Sequence, residues 1–345
     1  MKAFVTGATG FLGSYLTKEL LRQGHEVSAL KRPNSDLSLL GDAANQVRWH
    51  EGDITDILSL EEAMEGAELV YHAAAMLAFG GISFQKMLKI NVEGTANVVN
   101  VALSLGVKKL LYVSSITALG KSKDNSPIDE SGDWETAPME SQYGHTKYLG
   151  ELEIWRGIAE GLDAVIINPS TILGAGRWAD GSIQIFHQVA RGVPFYPTGS
   201  NGFVDVRDVV RVAIMLMDSP ATSGERYVIN AVNRSFKELM TQIATELGQK
   251  PPAIPVTDFW KTISIGYDKV RSLLTGSEAV ITREVLSISS HPYPYNDSKL
   301  RETLGFSYLP FEQTLNETVA AYQQSIADGK EYGVFGDMKA IISSY

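Results

Sequence analysis

Two short stretches of this 345-residue chain carry residue types that could do chemistry together. Residues 6–13 read TGATGFLG, a glycine-rich turn suited to holding a dinucleotide, and residues 143–147 read YGHTK. Residues i and i+4 share one face of a helix, so the Tyr143 phenol and the Lys147 ammonium would lie side by side. Together the two stretches predict hydride transfer to or from a nicotinamide cofactor.

The glycine turn lies between a predicted strand (residues 3–5) and a predicted helix (residues 11–23), as a dinucleotide-binding motif requires. The first glycine would permit a tight turn, the second a close approach to the pyrophosphate, and the third close packing of the helix. The predicted cofactor contacts here are Gly7, Thr9, Gly10, Phe11, Leu12 and Gly13. Because the spacing is G-x-x-G-x-x-G rather than G-x-G-x-x-G, an ordinary glycine-rich turn is the alternative.

Further strands alternate with helical segments along the first half of the chain. The pattern predicts strands at residues 26–30, 47–51, 69–72, 110–113 and 164–167, and a long amphipathic helix at residues 84–105. Such alternation predicts an α/β fold with a doubly wound parallel sheet of the Rossmann type. Ligands of these sheets bind at the carboxyl ends of the strands, where the candidate residues fall.

The end of the second strand should decide which cofactor binds. An acidic residue there would bind the adenosine ribose of NAD, whereas a basic residue would pair with the 2′-phosphate of NADP. The chain has Lys31 and Arg32 and no carboxylate until Asp36, which favours NADP with Arg32 as the phosphate partner. A solvated pair of basic residues is the alternative. Asp53, after the third strand, could accept from the adenine amino group or could be a plain turn residue.

Tyr143 can act as an acid or base only if its surroundings change its pKa, because a phenol with a pKa of about 10 is a poor acid or base at pH 7. A nearby ammonium such as Lys147 stabilises the phenolate and lowers that pKa. Ser114 and Ser115 follow the strand at residues 110–113, where a hydroxyl could hold the substrate oxygen. A surface pair on a helix would be the usual interpretation of this spacing in isolation.

Composition excludes several classes of function. Lys and Arg total 30 and Asp and Glu total 40, so the net charge of −10 disfavours a nucleic-acid partner. The chain has no cysteine for disulfides or thiolate chemistry, and its six histidines lack metal-ligand spacing, so we expect no metal. It begins directly in a strand and lacks an apolar run of about 18–20 residues. We therefore expect a cytoplasmic protein with neither a signal peptide nor a membrane span.

With these motifs in order, the chain resembles the extended short-chain dehydrogenases/reductases. That family includes nucleotide-sugar epimerases and dehydratases, dihydroflavonol and cinnamoyl-CoA reductases, and 3β-hydroxysteroid dehydrogenases. The matching stretches are residues 6–13, 52–53 (GD), 72–75 (HAAA), 91–95 (NVEGT), 114–115 (SS), 143–147, 168–170 (NPS) and 203–209 (FVDVRDV).

The resemblance implies a catalytic triad of Ser115, Tyr143 and Lys147. Tyr143 would exchange a proton with the substrate oxygen, and Lys147 would also bind the nicotinamide ribose. Asn91 matches a residue placed near the nicotinamide half of the cofactor. Further cofactor contacts implied by the matching motifs are Ile54, Ala73, Ala74, Ala75, Pro169 and Ile172.

Departures from the family pattern separate its branches. Dehydratases carry an Asp-Glu pair after the catalytic serine or threonine, where this chain has Ile116 and Thr117, and epimerases often have Tyr-Gly where it has residues 118–120 (ALG). The arginine with which nucleotide-sugar enzymes contact a diphosphate is missing as well. The closest motifs are those of the dihydroflavonol and cinnamoyl-CoA reductases, which implies NADPH-dependent reduction of a ketone or aldehyde with an apolar body. A nucleotide-sugar epimerase with retained NAD and a non-catalytic NADP-binding regulator are the alternatives.

The predicted organisation is a dinucleotide domain of residues 1–167 plus about 203–230, and a smaller, discontinuous α/β substrate domain of residues 168–202 and 231–345. The substrate site could be lined by apolar residues at 76–79 and 259–274 and by three aromatic residues after the sixth strand, Trp178, Phe195 and Tyr196. Each aromatic residue is at least as well explained by the core of the smaller domain. From the resemblance we expect a homodimer that pairs helices 84–105 and 141–157.

Overall fold

A computed structural model describes residues 1–77, 82–122, 126–135, 141–256 and 293–335 of the chain. Seven parallel strands form its central sheet. In order across the sheet they are β3 (Arg48–Glu51), β2 (Glu26–Lys31), β1 (Lys2–Thr6), β4 (Leu69–His72), β5 (Lys109–Val113), β6 (Ala164–Pro169) and β10 (Glu225–Ile229). The chain reverses direction across the sheet between β1 and β4, which is where a doubly wound fold binds its ligands.

Helices cover both faces of this sheet because side chains of each strand alternate between the faces. Strand β1 shows this, with Val5 in the core beneath α1 (Phe11–Arg22) and α7 (Val206–Asp218). Its neighbour Phe4 points to the opposite core, beneath α2 (Ile57–Met64), α4 (Gly94–Leu105) and α5 (Gln142–Ala159). The structure therefore confirms the doubly wound parallel sheet predicted from the alternation of strands and helices.

A second lobe packs around two small sheets and has its own apolar core. Its strands are β7 (Thr171–Leu173), β8 (Phe195–Pro197), β9 (Ser200–Asp205), β11 (Val232–Ser235) and β12 (Ile254–Val256). Its helices are α6 (Gln184–Ala190), α8 (Phe236–Glu246) and α10 (Phe311–Ala327), while α9 (Ser298–Leu304) packs against β10 of the central sheet. The division into two domains at the stated boundaries remains a prediction.

Two of the elements predicted from the alternation of strands and helices differ from the expectation by more than one residue at an end. Strand β6 continues through Asn168 and Pro169, so both residues lie at the edge of the central sheet. The long helix predicted at residues 84–105 is instead α3 (Phe84–Leu88) and α4, joined by one π-helical turn at Lys89–Glu93. Such turns occur frequently at functional sites because they rotate one side chain out of helical register.

Several predicted features fall outside the described residues, namely Ala78 and Phe79, the 259–274 segment and parts of the loop before α5. None of the helices in the described ranges combines the length and the apolar composition needed to cross a bilayer. Within the same ranges, no three His, Asp or Glu side chains cluster in a geometry that could hold a metal ion.

Candidate active site

The glycine turn leaves no room for side chains at two of its positions. Gly7 has φ of +73°, and a Cβ there would lie 2.7 Å from the backbone nitrogen of Ala74. A Cβ on Gly13 would lie 2.0 Å from the carbonyl oxygen of Gly7. The first and third glycines therefore bring helix α1 and the segment after β4 into direct contact with the turn.

Helix α1 begins at Phe11 with Gly10 as its N-cap, and no side chain caps it among the described residues. Its first-turn N–H groups, including those of Phe11 and Leu12, are thus available to an anion, as in dinucleotide sites. The Phe11 ring packs against Gly176, where a Cβ would lie only 2.8 Å from Cδ2 of Phe11. The carbonyl of Thr9 accepts from Arg177 at 3.1 Å. These features fit a pyrophosphate at the turn.

At the end of β2 the basic residues have different surroundings. Lys31 lies 3.9 Å from Glu51, whereas the Arg32 side chain is exposed. The nearest following carboxylate, Asp36, accepts from Arg177 at 2.7 Å, and hydrogen bonds from Ser38 and Arg177 lower the pKa of Asp36. Asp36 is therefore already neutralised by a guanidinium, and Arg32 is the charged group that remains open to a ligand.

Asp53 and Ile54, both predicted to contact the cofactor, have clear structural roles. The Asp53 Oδ1 atom accepts from the N–H and the hydroxyl of Thr55, at 2.9 and 2.8 Å. The buried Ile54 side chain packs on Gly94, where a Cβ would lie 2.6 Å from its Cδ1. Their contacts with the adenine half remain predictions.

The segment after β4 is held by the buried side chain of His72. Its Nε2 lies 2.9 Å from the Thr95 hydroxyl, which itself donates to the carbonyl of Asn91, so Nε2 carries the proton. Its Nδ1 accepts from the Thr6 hydroxyl at 2.7 Å, and that hydroxyl in turn accepts from the N–H of Ala74 at 3.1 Å. Burial lowers the pKa of His72 to about 3, consistent with a neutral ring.

These bonds set the Ala73 and Ala74 backbone against Gly7, while Ala75 is exposed. Pro169 is the last residue of β6, and Ile172 lies in β7. The carbonyl of Ile172 accepts a hydrogen bond from the Ser182 hydroxyl. Ala73, Ala74 and Pro169 therefore lie at the carboxyl ends of β4 and β6, which flank β5 in the central sheet, and Ile172 follows in the adjoining small sheet.

Asn91 lies in the π-helical turn, and its buried side chain is fully hydrogen-bonded. Its Oδ1 accepts from the N–H of Met76 at 2.7 Å, and its Nδ2 donates to the carbonyl of Met76 and to the Thr146 hydroxyl, both at 2.9 Å. The Thr146 hydroxyl then donates to the carbonyl of Tyr143 at 2.8 Å. Asn91 therefore ties the loop after β4 to the helix that carries the candidate acid.

The three residues of the predicted triad converge at the carboxyl end of β5. Ser115 follows this strand, and its hydroxyl is hydrogen-bonded to the Tyr143 phenol. The Lys147 ammonium donates to the carbonyl of Val113 at 2.7 Å and lies 4.1 Å from the ring centroid of Tyr112. Lys147 is buried, with 1% of its surface exposed. Because Lys147 is buried and Tyr143 is half-buried, their spacing on the helix is not that of a solvent-exposed surface pair.

Thr117 orients the Ser115 hydroxyl, a role that was not predicted. The Ser115 oxygen accepts from the N–H of Thr117 at 3.2 Å and from its hydroxyl at 2.9 Å. With both lone pairs occupied, the Ser115 hydroxyl can only donate its own proton, towards Tyr143 or a substrate oxygen. The only sequence signal was a hydroxyl residue two positions after the candidate serine.

Burial and charge shift the two titratable groups of the site in opposite senses. Burial lowers the pKa of Lys147 to about 7, and the negative charge of Glu151 opposes that shift. Burial raises the pKa of Tyr143 above its usual value, and the hydrogen bond from Ser115 opposes that shift. The expectation that Lys147 lowers the pKa of Tyr143 is therefore wrong, because burial outweighs any such effect, and the phenol is neutral at pH 7 and able to donate a proton.

Trp178, considered for the substrate site, lies instead in the core of the second lobe. It is 3% exposed, packs edge-on against Tyr322, and donates from Nε1 to the Ser325 hydroxyl at 2.8 Å. Phe195 and Tyr196 lie half-buried in β8. The sequence had left the core as the equally favoured interpretation for these aromatic residues, and for Trp178 the structure confirms it.

Comparison with known proteins agrees with this geometry. Residues 3–230 match the model of the NAD dependent epimerase/dehydratase family. The chain is 29% identical over 330 residues to a Synechocystis sp. protein named "Putative dihydroflavonol 4-reductase", covering 93% of this chain and 94% of that relative. It is 30% identical over 260 residues to the sterol demethylase protein B of Methylococcus capsulatus, covering 74% and 77%.

A third relative, the cinnamoyl-CoA reductase 1 of Oryza sativa subsp. japonica, is 27% identical over 336 residues, covering 93% of this chain and 90% of the relative. The crystal structure of gox2253 superposes with a TM-score of 0.77 at 30% identity, covering 93% of this chain and 98% of that one. The glycine turn and Ser115, Tyr143 and Lys147 all lie within the matched residues. The chain therefore belongs to the NAD-dependent epimerase/dehydratase family and is an NAD(P)-dependent enzyme of the extended short-chain dehydrogenase/reductase type.

Proposed function

We propose that the protein uses NADPH to reduce a ketone or an aldehyde with an apolar body. The observation that carries this proposal is the hydrogen bond between the Ser115 hydroxyl and the Tyr143 phenol, beside the buried Lys147 ammonium. The names of two relatives, a dihydroflavonol reductase and a cinnamoyl-CoA reductase, support reduction over epimerisation.

Bound NADPH would supply the hydride that the carbonyl carbon accepts. Ser115 donates a hydrogen bond to the carbonyl oxygen, because Thr117 occupies its lone pairs. Tyr143 donates its proton to that oxygen, and the carbonyl becomes an alcohol by addition of one hydride and one proton. Lys147 stabilises the phenolate that remains until a proton returns from solvent.

Substitution of Tyr143 by phenylalanine tests this assignment. Tyr143→Phe should abolish reduction across a panel of aromatic and aliphatic carbonyls, while the affinity for NADPH stays close to that of the wild type. Tyr148→Phe is the matched control, because it removes a phenol from the same helix that bonds only to Glu135 among the described residues. Turnover by Tyr143→Phe close to the wild-type rate would refute the proposed role.

The choice of NADP over NAD rests on the exposed Arg32 at the end of β2 and on the neutralisation of Asp36 by Arg177. Calorimetry should show tighter binding of NADPH than of NADH, and Arg32→Ala should remove this difference. Arg191→Ala, an exposed arginine at the end of α6, controls for loss of positive charge. A preference for NADH, or tightly retained NAD in purified protein, would instead support an epimerase.

We also propose that the protein is a homodimer that pairs α4 and α5. Leu105 at the end of α4 and Leu152 on α5 are exposed by 39% and 43%, although both are apolar. Light scattering should give twice the monomer mass of 37.6 kDa, and Leu152→Glu should shift it towards the monomer. A monomeric wild type would refute this assembly.

A further inference from the structure

Glu151 lies one helical turn after Lys147 and is 1% exposed. Its Oε1 atom accepts from the Ser114 hydroxyl at 2.5 Å and from Nδ2 of Asn168 at 2.6 Å. Its Oε2 atom accepts from the Arg226 guanidinium at 3.0 Å. The carboxylate therefore joins helix α5 to the residue that follows β5 and to the neighbouring strands β6 and β10.

These contacts reach the backbone on both sides of the Ser115 side chain. The second amide hydrogen of Asn168 is donated to the carbonyl of Ser115 at 2.9 Å, so both hydrogens of the amide are in use. On the amino-terminal side, Ser114 is held directly by Glu151. The backbone that carries the Ser115 hydroxyl is thus held by a carboxylate that is itself buried and hydrogen-bonded through both oxygens.

Arg226 extends the same network to the loop that precedes α5. Its guanidinium donates to the carbonyl of Glu130 at 2.9 and 2.6 Å and to the carbonyl of Gly132 at 2.7 Å. Removal of Arg226 would be costly, since the Glu151 carboxylate is buried and would lose its charged partner. The Glu151–Arg226 pair therefore holds the strand, the helix and the loop in one fixed arrangement.

We propose that Glu151 is a positioning residue, which fixes the backbone that carries Ser115 and keeps a negative charge one turn from the Lys147 ammonium. The catalytic part of this inference rests on the proposed function.

Lys147 is surrounded by groups from each element packed against it. These are Tyr143 and Glu151 on α5, the Tyr112 ring on β5, and the neutral His72 on β4. Burial lowers the pKa of Lys147 to about 7, so a small change in nearby charge decides whether the ammonium is protonated at neutral pH. Of these neighbours, only the Glu151 carboxylate favours the ammonium by its charge at pH 7.

Glu151→Gln keeps the shape of the side chain and removes its charge. The Lys147 side chain can be titrated by NMR in protein labelled with [13Cε]-lysine, with its signal assigned by its loss in Lys147→Arg. We expect the midpoint to fall by roughly one pH unit in Glu151→Gln, and the alkaline limb of the kcat profile to fall with it. Glu153→Gln, on the same helix, should leave both unchanged. An unchanged Lys147 midpoint in folded Glu151→Gln would overturn the proposal.

Glu151→Asp tests the hydrogen-bonding role of the side chain separately from its charge. It also provides a test if Glu151→Gln does not fold. The shorter carboxylate keeps the charge near Lys147 but cannot reach both Ser114 and Asn168. The Lys147 midpoint should stay near the wild-type value while kcat falls about tenfold, as expected for loss of one charge-assisted hydrogen bond. A wild-type kcat would overturn the positioning role. The two proposals can fail separately, because the titration needs no substrate. If the Lys147 midpoint shifts in Glu151→Gln but the wild type reduces no carbonyl, only the proposed function is refuted.

Discussion

Replacement of Lys147 by methionine should stabilise the cofactor-free protein below pH 7, although it should abolish turnover. Burial lowers the pKa of this residue from 10.5 to about 7. Each unit corresponds to about 1.4 kcal/mol, so holding the charge in the folded protein below pH 7 costs roughly 5 kcal/mol. The methionine variant also loses the bond to Val113 and the contact with Tyr112, together worth about 2 kcal/mol. A net gain of about 2–3 kcal/mol at pH 6 remains.

The gain should disappear as the pH rises. Unfolded chains bind a proton at Lys147 up to about pH 10.5, whereas the folded protein binds it only up to about pH 7. Between these values the wild type gains stability by about 1.4 kcal/mol per pH unit. The methionine variant lacks this slope, so its advantage should shrink by about 3 kcal/mol between pH 6 and pH 9 and end near zero.

Urea unfolding followed by tryptophan fluorescence, at pH 6 and at pH 9 without cofactor, measures both values. Lys86→Met replaces an exposed lysine on α3 and should shift the free energy of unfolding little, and equally at both pH values. A Lys147→Met variant that is destabilised by the same amount at pH 6 and pH 9 would refute the reasoning. That result would mean that the ammonium is solvated or fully paired in the folded protein.

Three further substitutions test separate parts of the structure. Thr117→Val removes a donor to Ser115 and should lower kcat about fivefold, equivalent to about 1 kcal/mol, without changing the Kd of NADPH. Gly13→Ala places a Cβ 2.0 Å from the carbonyl of Gly7. Because overpacking costs about 1–3 kcal/mol, its NADPH affinity measured by calorimetry should fall roughly 10- to 100-fold. Trp178→Ala should lower the free energy of unfolding by about 3–5 kcal/mol. A simultaneous loss of NADPH affinity would contradict its placement in the core of the second lobe.

The sequence predicted the dinucleotide half in detail because its signals are local. The bounds of β4 agree with the prediction, and α1 differs by one residue at its end. Strand periodicity and the glycine spacing each act over a few residues, so they can be interpreted without knowing the fold. The helical spacing of Tyr143 and Lys147 and the resemblance together predicted the triad, and the structure adds that Lys147 is buried.

The supporting contacts could not be predicted in this way. Glu151 bonds to partners that lie 17, 37 and 75 residues away, and it is one of 40 acidic residues in the chain. Its selection depends on which strands lie next to α5, and local patterns do not determine that. Asn91 shows the same limit, since its amide bonds to Met76 and Thr146, which lie 15 and 55 residues away along the chain.

The position of Lys147 shows why a site of this kind needs such remote support. A lysine whose pKa is lowered to about 7 is neutral in part of the population at neutral pH, and a neutral amine cannot stabilise a phenolate. Solvent exposure would restore the charge but would also screen its effect on Tyr143. A buried carboxylate one turn away favours the charged form without exposure and so keeps the pKa of Lys147 from falling further, and Arg226 hydrogen-bonds to that carboxylate in turn. Burial of Lys147 therefore has two linked effects. It lowers the stability of the folded protein, and it strengthens the electrostatic effect of the ammonium on the Tyr143 phenol.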